Sequence, residues 1–228
     1  GAATTAEEIV LNTAGKGAAL GSDVTMTVVQ HEAFSTVTAG GTTDQITFSG
    51  AGGATTINAE VAIETYVLAG AGATTNTLNV NAGNQSVNIT GAASNDTVNI
   101  AGLKVDGTYA LGGGSDTIVA TTGADITGVN AGTDTSAEQL TLSGAITMTQ
   151  AQHEALIADS GIVDGDAGAS AEQVTITTSG AITADADVET YVLADKTLTN
   201  TVTVASGGAA VNVTSGVSNT TTVAVGGN

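Results

Sequence analysis

Residues 76 to 100 read Asn76-Thr-Leu-Asn-Val-Asn-Ala-Gly-Asn-Gln-Ser-Val-Asn-Ile-Thr-Gly-Ala-Ala-Ser-Asn-Asp-Thr-Val-Asn-Ile100. Leu78 and Val80, Val87 and Ile89, and Val98 and Ile100 alternate with polar residues, the period-two pattern of a strand with one buried face. Between the runs sit Gly, Asn, Ser and Asp, which tolerate the positive φ of tight turns. Run centres fall about 9 to 11 residues apart, close to half a turn of a flattened parallel β-solenoid. Each run is then expected to stack on the run one full turn away, building ladders of Val, Ile and Thr. Val202 and Val204 repeat the pattern downstream. The chain has no Pro, as suits a stack in which every interior strand donates its N–H groups to a neighbour.

The same stretch belongs to a duplication. Asn76-Thr-Leu-Asn-Val80 returns as Asn200-Thr-Val-Thr-Val204, and Val87-Asn-Ile-Thr90 as Val211-Asn-Val-Thr214. Upstream, Val24-Thr-Met-Thr-Val-Val-Gln-His-Glu-Ala33 returns as Ile146-Thr-Met-Thr-Gln-Ala-Gln-His-Glu-Ala155. Val61-Ala-Ile-Glu-Thr-Tyr-Val-Leu-Ala69 returns as Asp187-Val-Glu-Thr-Tyr-Val-Leu-Ala194. Thr5-Ala-Glu-Glu-Ile-Val-Leu11 and Ser136-Ala-Glu-Gln-Leu-Thr-Leu142 head the two copies, each as a strand, and Asp44-Gln-Ile-Thr-Phe-Ser49 and Glu172-Gln-Val-Thr-Ile-Thr177 supply another. Two tandem modules are therefore expected, at 4–133 and 134–228, the second lacking the last part of the first.

Within each module one block departs from period two. Thr25 to Val37 and Thr147 to Ile157 carry apolar residues at helical spacing after a Thr, and Thr27 with Gln30 and Thr149 with Gln152 match the start of a capping box. Short helices are expected at 26–37 and 148–158, covering a bend or an apolar end of the solenoid. The fold class that follows is mostly β, a parallel β-solenoid resembling a β-roll, with one short helix in each module.

Composition narrows function by exclusion. The 228 residues hold 3 Lys+Arg against 22 Asp+Glu, a formal charge of -19, with no Cys, no Trp and 2% aromatic residues. Lys16, Lys104 and Lys196 are its cations, which cannot neutralise a phosphate backbone, so no nucleic-acid partner is expected. Without Cys there is no disulfide framework, zinc ribbon or thiol nucleophile. A 41% apolar content and a mean hydropathy of +0.25 argue for a folded chain rather than a disordered acidic one. No run of about 18 apolar residues occurs, so no membrane insertion is expected. Gly1 to Glu8 lack a basic start and an apolar core, so no signal peptide is expected there, and an opening without Met reads as an excised or processed piece.

Leu111-Gly-Gly-Gly-Ser-Asp-Thr-Ile-Val119 differs at one position from the nonapeptide Gly-Gly-x-Gly-x-Asp-x-apolar-x, and Gly91-Ala-Ala-Ser-Asn-Asp-Thr-Val-Asn99 keeps its Asp and apolar residue. Asp96 and Asp116 lie about one turn apart and are expected to stack on one edge. With turn carbonyls at Gly112 and Gly114 they are candidate ligands for Ca2+, which takes six or more hard oxygens. Counting from Val211-Asn-Val-Thr214 puts Thr220 where the first copy has Asp96. Asp164-Gly-Asp166, with Asp159 nearby, is a second candidate cation loop, and Asp185, Asp187 and Asp195 flank the second Tyr block.

Through these nonapeptides and its Thr/Ala/Gly-rich repeats the chain resembles the secreted RTX-type proteins and, more broadly, the repeat regions of bacterial S-layer proteins and giant adhesins. The resemblance implies export, an extracellular place on a bacterial cell surface, folding in calcium, and a structural role in an S-layer lattice or adhesin stalk with copies of itself as partners. A glycan- or matrix-binding module using the loops around Asp164 and Tyr191 is the alternative, and a β-helical polysaccharide-degrading enzyme a more distant one. The last lacks Arg and Trp to hold sugars, so no enzyme is expected.

His31-Glu32 and His153-Glu154 lack a second His four residues on, so His-Glu-x-x-His zinc chemistry is absent and a solvated helix face is expected. Tyr66 and Tyr191 read as rings closing the solenoid beside the helix. Asn84, Asn88, Asn95, Asn212 and Asn219 begin Asn-x-Ser/Thr triplets, candidate glycan sites in a secreted protein.

Overall fold

A computed structural model describes residues 7–8, 17–21, 23–41, 43–49, 55–68, 75–81, 86–102, 104–131, 138–158, 161–165, 172–194, 199–204, 210–215 and 220–225. The fold is mostly parallel β, with about 56% of the described residues in strands and two helices among them, and is a β-solenoid. Two compact units are present: Gly1–Asn99 with Asp106–Asp116 and Val129–Ser136, and Ile100–Val105 with Thr117–Gly128 and Ala137–Asn228.

In the first unit, Val24–Met26, Gln45–Phe48, Thr65–Val67 and Asn88–Thr90 stack side by side in parallel. Their inward residues are in register, Val24 on Ile46, Ile46 on Tyr66 and Tyr66 on Ile89, and Tyr109 extends the row from Ile89. All of them are buried. A second ladder pairs Thr55–Asn58 with Asn76–Val80, placing Ile57 on Leu78. The second unit repeats the design: Ala145–Met148, Gln173–Ile176, Thr190–Leu193 and Asn212–Ser215 place Ile146, Val174, Tyr191 and Val213 in one row. Gly180–Thr183, Thr199–Val204 and Thr220–Val225 form its other described three-stranded ladder. Alternation set by the pleat sends Thr and Asn outward and Val, Ile, Leu and Tyr inward, and burying each large aliphatic side chain contributes about 1.5 to 3 kcal/mol. The alternating pairs expected in the first copy are all buried, whereas Val204 is only half-buried.

Both helices form, shorter than their blocks. Helix α1 is Val28–Glu32 and helix α2 is Gln150–Ala158. Each starts from the expected cap: the Gln30 amide donates to Thr27 Oγ1 at 3.2 Å while the Thr27 amide donates to Gln30 Oε1 at 2.8 Å. Thr149 and Gln152 repeat these bonds at 3.2 and 2.8 Å. Helix α1 ends early because Ser35-Thr-Val-Thr38 is rich in β-branched residues and Val37–Ala39 becomes a strand. Ala155-Leu-Ile-Ala158 carries α2 further, since Ala and Leu are strong helix formers.

Candidate functional site

The expected acidic edge is present in the first unit. Asn76, Asp96 and Asp116 lie at successive 20-residue steps at the starts of three strands, all buried. Asn76 Nδ2 donates to Asp96 Oδ1 at 2.8 Å, Ser94 Oγ donates to the same oxygen at 3.3 Å, and the Asp96 amide donates to Asp116 Oδ1 at 2.7 Å. Each acid thus takes the strand-opening N–H of the turn before it, a donor that would otherwise be buried without a partner. Asp96 Oδ2 is buried and accepts no hydrogen bond. Burial pushes the Asp96 carboxyl above its ordinary range, opposed by the hydrogen bonds from Asn76 and Ser94.

The glycines of the motif serve close stacking. Gly112 and Gly114 have φ of +92° and +133°, and a Cβ on either would run into the carbonyl oxygen of Ala92 or Ser94 respectively. The Gly113 amide donates to Ala92 O at 2.7 Å and the Ser115 amide to Asn95 Oδ1 at 2.9 Å, so this turn is hydrogen-bonded to the turn beneath it.

The second copy differs at this edge. Parallel register places Thr221, not Thr220, beside Asn200, because Val213 to Thr221 spans one residue more than Ile89 to Asp96. Asn200 Oδ1 still accepts the Gly180 amide at 2.9 Å, yet Asn200 Nδ2 and Thr221 Oγ1 are buried with no hydrogen bond.

The second cation loop is only partly described. Asp164 closes the strand Ile162–Asp164, half-buried and in register with Leu142, while Asp159, Asp166 and Asp195 lie outside the described residues. Asp185 is committed to backbone: its Oδ2 accepts the Ile162 amide at 3.3 Å and its Oδ1 the Asp187 amide at 3.0 Å. Among the described residues no group of three or more His, Asp or Glu is placed to hold a metal ion. Asn88 and Asn95 are exposed, but their Oδ1 atoms accept the amides of Thr108 and Ser115 at 3.0 and 2.9 Å; Asn84 and Asn219 lie outside the described residues.

The His-Glu pairs are not a solvated helix face. His31 and His153 are 2% and 0% exposed, and each bridges its helix to the third strand of the ladder. In the second copy, His153 Nε2 lies 3.0 Å from Tyr191 Oη and His153 Nδ1 lies 2.9 Å from Glu154 Oε1. Tyr191 Oη accepts the Asp185 amide at 2.9 Å, and because the Glu154 carboxylate can only accept, it takes the ring's Nδ1 proton and leaves Nε2 to accept from the Tyr191 hydroxyl. The imidazole is then neutral with its proton on Nδ1, donated to Glu154. Glu154 is fixed in turn by the Thr183 amide at 2.8 Å and Thr183 Oγ1 at 2.9 Å. Burial pushes the Tyr191 hydroxyl up and the His153 imidazole down; Glu154 and Asp185 pull the imidazole back upward by less.

The first copy builds the same chain with different spacing. His31 Nδ1 sits 2.9 Å from Glu32 Oε1, but His31 Nε2 is 3.5 Å from Tyr66 Oη, which accepts the Glu60 amide at 2.7 Å. Phe48 stands where the second copy has Ile176, stacked 6.0 Å from Tyr66 and edge-on to His31 at 5.5 Å. Asn58 holds Glu32 through its amide at 2.9 Å and Nδ2 at 2.7 Å, and Asn79 and Asn99 extend an outward amide ladder from it at 3.0 and 2.7 Å.

Tyr66 and Tyr191 close the core as expected, and their complete burial removes Tyr191 as a stacking platform for a ligand. The sequence did carry a clue to the Glu–His–Tyr chain: Gln-His-Glu-Ala and Glu-Thr-Tyr-Val-Leu-Ala recur unchanged in the two copies. It carried a weaker one to a second pair of acids, Asp44 with Glu64 and Glu172 with Glu189, in which the first residue's amide donates to the second's carboxylate at 2.9 and 2.7 Å.

Compared with protein families, curated proteins and solved structures, the chain finds no match in any of the three.

Proposed function

We propose that this chain is a structural segment of a secreted bacterial cell-surface protein, of the S-layer or adhesin-stalk kind, whose work is mechanical rather than catalytic. The β-solenoid fold is compatible with a structural repeat protein. The observation that carries the reading is where the polar chemistry goes: Asp116, His153 and Glu189 make bonds that tie one element of the stack to the next, and neither Tyr66 nor Tyr191 is exposed to stack a ligand. Parallel ladders capped in this way resist shear because many backbone bonds must break together. Outward rows such as Thr25 beside Thr47 and Thr201 beside Thr222 present short, uncharged side chains, suited to close packing against further copies of the same repeat.

Calcium belongs to this proposal at the Asp96 and Asp116 edge. The buried, unbonded Asp96 Oδ2 is the oxygen that a divalent ion would engage, and the ion's charge would offset both the burial cost there and the self-repulsion of a chain with -19 formal charge. Labelling intact source cells with antibody to this chain, with and without external protease, tests the placement: surface signal lost on proteolysis is expected, and a protease-resistant internal signal overturns it. Calorimetry with CaCl2 tests the ion: wild type and Thr221→Ala should bind with equal stoichiometry and Asp116→Ala should bind one ion fewer. Equal stoichiometry in all three removes calcium from this edge.

A further inference from the structure

Both helices are fastened by a half-buried carboxylate joined to a buried imidazole and phenol, a chain that a structural stack does not by itself require. We propose that the Glu154–His153–Tyr191 chain is a proton-sensitive clasp, holding α2 on its strands at neutral pH and releasing it in mildly acidic solution. This inference is independent of where the protein works.

The argument begins with donors and acceptors. Glu154 is a carboxylate and can only accept, so the neutral ring carries its proton on Nδ1 and presents a lone pair at Nε2 to the Tyr191 hydroxyl, whose oxygen also receives the Asp185 N–H. A second proton on the imidazole puts a hydrogen on Nε2, pointing at Tyr191 Oη, and the phenol must turn its own hydrogen away into the core. His153 is 0% exposed, so the added charge is buried as well. The titratable groups facing the ring are Glu154 on its own helix, Tyr191 on the ladder strand and Asp185 in the preceding turn. Glu154 and Asp185 favour the charged ring, but burial outweighs them, so the folded imidazole titrates below its ordinary range. The sign follows from linkage: the folded state binds fewer protons than the unfolded, so stability is complete above about pH 6.5 and is lost as pH falls below it.

The loss is local because the bonds to His153 and Glu154 fasten the middle of α2. Its start is tied separately, by the Gln150 amide to Thr178 Oγ1 at 2.9 Å, by Gln150 Nε2 to Ala181 O at 2.6 Å and by Gln152 Nε2 to Ile126 O at 2.6 Å. Release bares Leu156, Ile182 and the face of Tyr191, all buried with the helix in place. Acid would thus uncover an apolar patch on one side of the ladder, while strands distant from the helix keep their pairing.

Hydrogen exchange on the whole chain tests this at about pH 5 and about pH 7.5, either side of the ordinary histidine range, with rates corrected for the intrinsic effect of pH. Amides 153–158 should lose roughly tenfold or more of their protection at the lower pH while Asn76–Val80 keep theirs, and His153→Gln should abolish the difference between the two conditions. A dye that fluoresces on apolar surfaces should brighten over the same interval in wild type alone. Equal corrected protection of α2 in wild type at both pH values overturns the clasp, as does a pH step that survives in His153→Gln. The wild-type imidazole resonance decides independently of any variant: titration at or above about 6.5 in the folded protein also overturns it.

Discussion

The two copies of the repeat agree at the helix and disagree at the acidic edge. Both keep Glu, His and Tyr in one chain from helix to third strand, with His and Tyr buried, although His153 and Tyr191 are 3.0 Å apart and His31 and Tyr66 3.5 Å apart. At the other ladder the first copy stacks Asn76, Asp96 and Asp116, and the second sets Asn200 beside Thr221 with both side chains short of partners. Stacking itself therefore does not need the carboxylate, since Thr199–Val204 and Thr220–Val225 pair along six residues without it. What the fold does need is a fastening for a helix inserted between two rungs, which interrupts the ladder and leaves its own polar groups to be satisfied.

The largest effect should come from removing the ring at the centre of that fastening. Tyr191→Ala deletes a fully buried ring and its hydroxyl, and should cost about 4 kcal/mol in urea unfolding. Tyr66→Ala should cost a similar amount, because Phe48 stacks on it and loses that contact. A loss below about 1 kcal/mol in either copy would mean that the helix is held by its cap alone.

Gly112→Ala comes next. It forces an alanine into φ +92° and onto the Ala92 carbonyl, so a loss of about 2 to 3 kcal/mol is expected by thermal or urea melting. Gly113→Ala, whose nearest neighbour would be Ala93 Cα at 3.7 Å, is the matched control and should be nearly neutral. If the two variants melt together, close stacking of turns is not what these glycines provide.

Much of this was legible beforehand, for physical reasons that differ from residue to residue. Leu78, Val80, Val98 and Ile100 could be assigned to the core because a pleat converts alternation directly into burial. The Thr27 and Thr149 caps were legible because a capping box is local, with all its partners within three residues. The burial of His31 and His153 was not, since a five- or nine-residue helix shows its inner face only once the strands it docks on are placed. The register of Thr221 was hidden for a similar reason: counting from Val211-Asn-Val-Thr214 assumes equal turns, and one additional residue moves every later side chain by a position. Asp96 and Asp116 were recognisable as a stacked pair, but not as acceptors for backbone amides, because that depends on which way the strand openings face.

Three tyrosines in the core allow a finer comparison. Tyr66 and Tyr191 accept a backbone amide and face a histidine, whereas the Tyr109 hydroxyl is buried with no hydrogen bond and is pushed up in pKa by that burial. Tyr191→Phe strands the Asp185 amide and His153 Nε2 and should cost about 2 kcal/mol. Tyr109→Phe removes an unbonded polar group and should leave stability unchanged or raise it by a few tenths of a kcal/mol. Equal losses would show that the phenol-histidine bond adds nothing to the second copy beyond the ring's packing.

The smallest effect is one of sign, and it separates the acidic edge from the clasp. The Asp96 carboxyl is raised above its unfolded value near 3.8 by burial, so the folded state holds its proton more tightly than the unfolded chain. Its contribution to stability is complete below that unfolded value and is lost as pH rises through the folded one. His153, shifted down, acts in the reverse sense and weakens the fold as pH drops. Asp96→Asn keeps an acceptor for Asn76 Nδ2 while abolishing the titration, so the difference in urea midpoint between wild type and Asp96→Asn isolates this residue from the rest of a chain with -19 formal charge. Wild type should gain on Asp96→Asn as the pH is lowered from 7 toward the ordinary carboxylate range. Thr221→Asp, which offers Asn200 Nδ2 the acceptor it lacks, should stabilise the second copy by about 1 kcal/mol at neutral pH. A wild-type advantage that instead shrinks in acid would mean that Asp96 is stabilised as a carboxylate, with hydrogen bonds from Asn76 and Ser94 outweighing its burial; the acidic edge would then be a polar cap of the ordinary kind, with no burial cost for a cation to relieve.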